Sequence, residues 1–193
     1  MQEKIKSVLA ASISVKNEII SNGTLISRIE TAAQEITEAF IRGNRVYFCG
    51  NGGSAADAQH LAAEFSGRFY YDRPPLDSEA LHVNTSYLTA VANDYSFDEI
   101  YARLIKGKGI KGDILVALST SGNSKNIIRA IVEAHRIGMT VIGLTGESGG
   151  LMKETCDILI NIPSSDTPRI QESHITIGHI ICEIVESTIF PQN

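Results

Sequence analysis

The sequence contains no CxxC pair, and its three cysteines, Cys49, Cys156 and Cys182, are odd in number and widely spaced. The simplest account is reduced, mostly buried thiols in a cytoplasmic protein. Long basic runs are also missing, and the net charge is -5. A nucleic-acid partner is therefore not expected, since such proteins carry a basic face. No apolar run is long enough to span a bilayer. The N-terminal stretch MQEKIKSVLAASISVKNEII is interrupted by Lys16, Asn17 and Glu18, so it lacks the apolar core of a signal peptide, and no membrane association is expected. GxxxxGK[ST] is absent, which argues against a Walker-type nucleotide site, and the absence of GxGxxG weakens a dinucleotide reading.

What is present suits one globular domain. The 193 residues are 43% hydrophobic and 20% charged, enough for a full core. Ile5, Val8, Leu9, Ser12, Ile13 and Ile20 recur with helical spacing, as do Leu25, Ile29, Ala32, Ala33, Ile36, Ala39 and Phe40. Ser21-Asn22-Gly23 separates these two helices and Gly43-Asn44 ends the second. From there the rhythm changes. Val46–Cys49, Ile114–Leu118, Thr140–Leu144 and Ile158–Ile162 read as strands, with Leu81–Val83 a weaker candidate. Helices are expected to about Phe65 and Ile137, a short one after Gly150, and a long one from Pro168 to about Ile189. Alternating strands and helices predict an α/β fold: one three-layer α/β/α domain with a parallel, flavodoxin-like sheet. Residues 1–43 form an N-terminal helical extension to the domain at 44–193. Its apolar faces must pack on something, and another subunit is a natural occupant.

Two loops stand where α/β sheets bind ligands, beyond the carboxyl ends of strands. One is CGNGGS, Cys49 to Ser54, whose glycines admit close backbone approach. The other is STSGNS, Ser119 to Ser124, whose hydroxyls and following helix N-terminus suit a phosphate. Taken singly, either loop could simply make a turn and cap a helix. His60 and Glu64 lie on one face of the helix after the first loop. Gln171, His174 and His179 lie on the last helix. Imidazole and carboxylate are common zinc ligands. His82 and His135 have no such company, and structural roles are expected for them.

Five motifs, in order, resemble the sugar isomerase (SIS) domain family and, within it, the phosphoheptose isomerases. They are CGNGGSAADAQHLAAEFSGR (Cys49 to Arg68), VANDYSF (Val91 to Phe97), ALSTSGNS (Ala117 to Ser124), LTGESGG (Leu144 to Gly150) and RIQESHITIGHIIC (Arg169 to Cys182). The resemblance covers nearly the whole chain and is weakest from Tyr70 to Asn84. It implies a ketose–aldose isomerase that converts sedoheptulose 7-phosphate to D-glycero-D-manno-heptose 7-phosphate, in a pathway that supplies heptose for lipopolysaccharide or another surface glycan. It implies one divalent metal per subunit, zinc by expectation, held by His60, Glu64, Gln171 and His179. Glu64 and His179 would be the acid/base pair. The substrate would contact Asn51, Gly52, Gly53, Glu64, Asn93, Asp94, Ser119, Thr120, Ser121, Ser124 and Gln171, and Ser54 sits in the right loop. The family's usual assembly is a homotetramer with sites between subunits.

Gln171 and His179 are eight residues apart, about 12 Å along a helix, too far for one ion with ligands at about 2 Å. Two subunits sharing a site would resolve this, and so would a break in the helix near Arg169–Ser173. Two rival readings are a non-catalytic homologue that binds the replication initiator and a module that only senses a sugar phosphate. The first would be expected to lose the metal and acid/base residues; the second usually accompanies a DNA-binding extension, and none is visible.

Overall fold

The computed structural model describes residues 1–192; the last residue of the expected 44–193 segment, Asn193, lies outside them. Two helices come first, α1 (Gln2–Ser21) and α2 (Gly23–Ile41). Asn22 separates them, and its side-chain oxygen accepts a 3.0 Å hydrogen bond from the Leu25 amide, an N-cap that starts α2. The α/β part follows as β1 (Val46–Gly50), α3 (Gly53–Ser66), β2 (Ser78–Ala80), α4 (Thr85–Asp94), α5 (Ile100–Lys108), β3 (Ile114–Leu118), α6 (Lys125–Ile137), β4 (Thr140–Thr145), β5 (Ile158–Asn161) and α7 (Thr167–Ile189). Single 3₁₀ turns precede α5 and follow β4.

The sheet is wholly parallel, in the order β2-β1-β3-β4-β5. This is the doubly wound, flavodoxin-like order. Every residue of β1 and β3 is buried, which explains their unbroken apolar sequence: helices cover both faces. Side chains alternate as strand geometry requires. Phe48, Val116 and Leu118 pack with α2, α3 and α7. Tyr47, Cys49, Leu115 and Ala117 face the other way, onto α5 and α6. The carboxyl ends of β1, β3 and β4 therefore open onto one edge, with α3, α6 and α7 starting beside it.

Two features depart from the sequence reading. The second strand is Ser78–Ala80, not Leu81–Val83. Its pairing with β1 ends where the Leu81 amide donates to the Phe48 carbonyl at 2.9 Å. Leu81 is buried, and it gave that segment its apolar look. The strand proper sits at a sheet edge, where polar Ser78 and Glu79 are tolerated. Helices α4 and α5 were not foreseen. The Asn84 side chain caps α4 by accepting from the Tyr87 amide at 3.0 Å, so Asn84 marks a helix start rather than a loop.

Helix α7 runs without interruption from Thr167 to Ile189, with Pro168 confined to its first turn, where proline costs no hydrogen bond. No break near Arg169–Ser173 brings Gln171 back toward His179. On α1 only Val15 and Ile19 are buried, whereas Ile5, Leu9, Ile13 and Ile20 are 53–72% exposed. No helix among the described residues is long and apolar enough to cross a membrane.

Candidate active site

The glycine loop turns sharply out of β1. Gly52 has φ +57°, a left-handed value that glycine adopts without strain. Gly50 allows the chain to fold back on Ser54, whose backbone carbonyl a β-carbon at residue 50 would strike. A β-carbon at Gly53 would lie 2.5 Å from Gln171 Nε2. The Gln171 amide thus rests directly on the first turn of α3, and Ser54 is buried beneath the loop. The Asn51 and Asn126 side-chain amides pair reciprocally, each donating to the other, at 2.9 and 2.8 Å. Asn126 was not anticipated. It follows STSGNS on the first turn of α6, and it ties the glycine loop to the serine loop.

The serine loop leaves β3 with Ser119 Oγ and Ser124 Oγ 3.1 Å apart. Gly122 has φ +66°, and a β-carbon there would collide with the Gly149 carbonyl. The Met152 amide donates to the Gly122 carbonyl at 3.1 Å, and the Gly146 amide to the Thr120 carbonyl at 3.0 Å. LTGESGG is therefore the second wall of the serine loop. Between them lies an open cleft of about 290 Å³ lined by Thr120, Ser121, Asn123, Gly146, Ser148 and Thr167. Hydroxyls are the commonest groups in this lining and suit an anion where no lysine is present, although the acidic Glu147 lines the cleft as well.

His60 and Glu64 on α3 meet His179 on α7. The His60 and His179 Nε2 atoms are 2.9 Å apart, His60 Nε2 is 3.2 Å from Glu64 Oε1, and one ligand atom from each of the three lies within 4.8 Å of the others. Ligand atoms about 2 Å from a tetrahedral ion stand roughly 3.3 Å from one another. Two imidazoles and a carboxylate at this spacing fit zinc by geometry and by donor type. The helices approach closely because of the residues next to the histidines. A β-carbon at Gly178 would lie 2.5 Å from both methyl carbons of Leu61. The Phe69 ring packs on His179, centroid to centroid 5.7 Å.

The remaining expected residues lie apart from this cluster. Gln171 sits at the far end of the α7 contact with α3, against Gly53. Asn93 and Asp94 end α4, and the Asn93 amide donates to the Asp94 carboxylate at 2.9 Å. Among the described residues neither side chain bonds to the glycine or serine loop. His135 Nε2 lies 2.8 Å from the Thr155 carbonyl.

His174 points away from the cluster into the core, fully buried, with Nε2 3.2 Å from the Thr145 carbonyl. Burial pushes its pKa down from 6.5 to about 4, and the Thr145 carbonyl offsets this only in part. Between those values the unfolded chain binds a proton that the folded chain does not. Stability is then full above pH 6.5 and falls as the pH drops toward about 4, by up to about 1.4 kcal/mol per pH unit. Urea unfolding at neutral and mildly acidic pH checks this. His174→Gln should remove part of the acid-side slope, and an unchanged slope would assign it to other groups.

Residues 11–146 match the SIS domain. A curated phosphoheptose isomerase from Aneurinibacillus thermoaerophilus is 50% identical over 190 residues, 98% of this chain and 96% of that one. The structure of a phosphoheptose isomerase from Francisella tularensis superposes with a TM-score of 0.92 at 38% identity, covering 96% of this chain and 98% of its own. That of Neisseria gonorrhoeae gives 0.90 at 41%, with the same coverage. A cleft between the serine loop and its LTGESGG wall, a glycine loop tied to the serine loop, and a His–Glu–His cluster across α3 and α7 are thus found in a chain that belongs to the SIS domain family and, within it, to the phosphoheptose isomerases.

Proposed function

We propose that the chain interconverts sedoheptulose 7-phosphate and D-glycero-D-manno-heptose 7-phosphate, with the serine loop holding the phosphate and Glu64 and His179 moving the protons. The observation that carries this is the convergence of His60, Glu64 and His179 from two helices, of which α3 begins at the glycine loop. Ketose–aldose exchange needs a base at carbon, an acid for oxygen and charge stabilisation in between. The Glu64 carboxylate takes a proton from C1 to give the enediol and returns a proton to C2. Its Oε1 faces His60, which leaves the second oxygen for the substrate. His179 passes a proton between the two substrate oxygens. Zinc, bound by His60, Glu64 and His179, would polarise the carbonyl and lower the cost of the developing oxyanion. Ser119, Ser121, Ser124 and the amides at the start of α6 anchor the phosphate, so remote binding positions the reacting end. Asn51, Gly52, Gly53 and Ser54 form the adjoining wall. Thr120 faces the cleft, and Asn93 and Asp94 contact the sugar from α4.

An unbroken α7 keeps Gln171 of one chain about 12 Å along the axis from its own His179. Gln171 therefore completes a site through a second copy of the chain, and membership of the family implies that the assembly is a homotetramer. Ile180 and Ile184 on α7 are about two-fifths exposed and, with Ile20 and Ile26, line an open apolar groove of about 510 Å³. The extension at 1–43, apolar on its outer face, covers such grooves between subunits. We place the enzyme in the cytoplasm, supplying heptose for lipopolysaccharide or a related glycan. A non-catalytic partner or sensor has no use for a converged His–Glu–His set. The test is conversion of sedoheptulose 7-phosphate to an aldose phosphate by zinc-loaded protein. Turnover should vanish on chelation and return with zinc. Equal turnover with metal stripped would remove the metal from the account.

A further inference from the structure

The loop between α3 and β2 has no regular structure, yet it is tied down by one buried ion pair. The Arg73 and Glu186 side chains are 2% and 1% exposed, with Nε and Oε1 3.0 Å apart. Arg73 donates to the carbonyls of Glu64 at 2.8 Å, Phe65 at 2.7 Å and Gly67 at 3.2 Å. These are the carbonyls that a helix end leaves without partners, so the guanidinium caps α3 at the turn that carries Glu64. Glu186 accepts from the backbone amides of Phe69 at 2.8 Å and Tyr70 at 2.7 Å. It stands about two turns beyond His179 on the same face of α7. The loop is thereby wrapped so that Phe69 lies on the His179 ring, and Tyr70 packs on Phe69 at 4.5 Å between centroids.

We propose that Arg73 and Glu186 are positioning residues for the isomerase reaction: they lock the end of α3 to α7 and hold Phe69 as an apolar wall that fixes the His179 ring. This rests on the reading of His179 as ligand and proton carrier. A ring so held presents Nε2 in one direction without searching for it, which favours metal binding, and proton transfer at that nitrogen when it is not coordinated. Outer partners that orient a ligating histidine typically change metal affinity by 10–100-fold when lost. The phosphate loops are not touched by any of these contacts, so substrate affinity should be spared.

Glu186→Gln leaves a buried guanidinium short of its counter-charge and can unfold the chain; Phe69→Ala leaves the ion pair intact. Folded Phe69→Ala, checked by circular dichroism, should lose about tenfold in kcat with KM nearly unchanged. Its metal-free form should bind zinc about tenfold more weakly in a direct titration. Phe69→Leu, which keeps an apolar wall, should recover most of both. Where Glu186→Gln folds, it should show the same pair of losses, and Phe69→Ala/Glu186→Gln should be no worse than the poorer single variant. A folded Phe69→Ala with wild-type kcat and zinc affinity overturns the proposal alone. A wild type that binds zinc without turning over the ketose overturns the reaction, and the zinc arm still decides the positioning role. A wild type that binds no zinc overturns both.

Discussion

Glu64→Gln is expected to lower kcat by about 10²–10⁴-fold, the usual contribution of a positioned acid/base group. The change keeps the side chain's size and helix propensity and removes only the charge and the basic oxygen. Phosphate-end affinity should persist, because the contacts proposed for it lie at Ser119, Ser121 and Ser124. Glu64 has two roles in the account, ligand and base, and coordination lowers the basicity of a carboxylate. Metal content must therefore be measured with turnover. Full zinc occupancy with lost turnover makes Glu64 chiefly a base. Lost zinc with activity restored by excess metal makes it chiefly a ligand. Near-normal turnover would contradict both roles and return the chain to the non-catalytic reading.

The second large effect is expected at Gly178. In an exposed helix, glycine to alanine stabilises by roughly 0.5–1 kcal/mol. Here the new methyl group would meet Leu61 at 2.5 Å, and Leu61 is 2% exposed, with little room to yield. Overpacking of this kind costs about 1–3 kcal/mol. More to the point, it drives α3 and α7 apart beside His60 and His179. A displacement of about 1 Å at a reacting group can cost about 10²-fold in rate. Gly178→Ala should therefore lose activity and zinc affinity together while remaining folded. Leu61→Ala, introduced beside it, should relieve the contact and recover part of both. A fully active Gly178→Ala would show that this close approach does not set the cluster.

These contacts show where sequence reading stops. The apolar runs of β1, β3 and β4 and the helical spacing of α1, α2, α6 and α7 are local signals, and the elements lie where the periodicities put them. Polar Ser78-Glu79 hid β2 because an edge strand needs little apolar surface. His60 and Glu64 are legible as a pair because helical spacing alone puts them on one face. Nothing local says that His179 joins them. That follows from Gly178 packing on Leu61, and in isolation Gly178 reads only as a weak spot in a helix. Phe69 and Arg73 are equally silent, since their partners Glu186 and His179 lie more than a hundred residues away. Asn126 carries a faint signal, an amide just past the serine loop, but its partner Asn51 is visible only once β1 and β3 pair. The exposed stripe of α1 is the reverse case: the sequence displays it clearly, and a single chain leaves it uncovered.

The most direct measurement follows sedoheptulose 7-phosphate through the zinc-loaded enzyme in D₂O by proton NMR. Proton transfer through an enediol predicts an aldose 7-phosphate that carries solvent deuterium at C2, with no product after chelation. Absence of the aldose, or an aldose formed at the same rate and with the same labelling by Glu64→Gln, would contradict the proposed chemistry at Glu64.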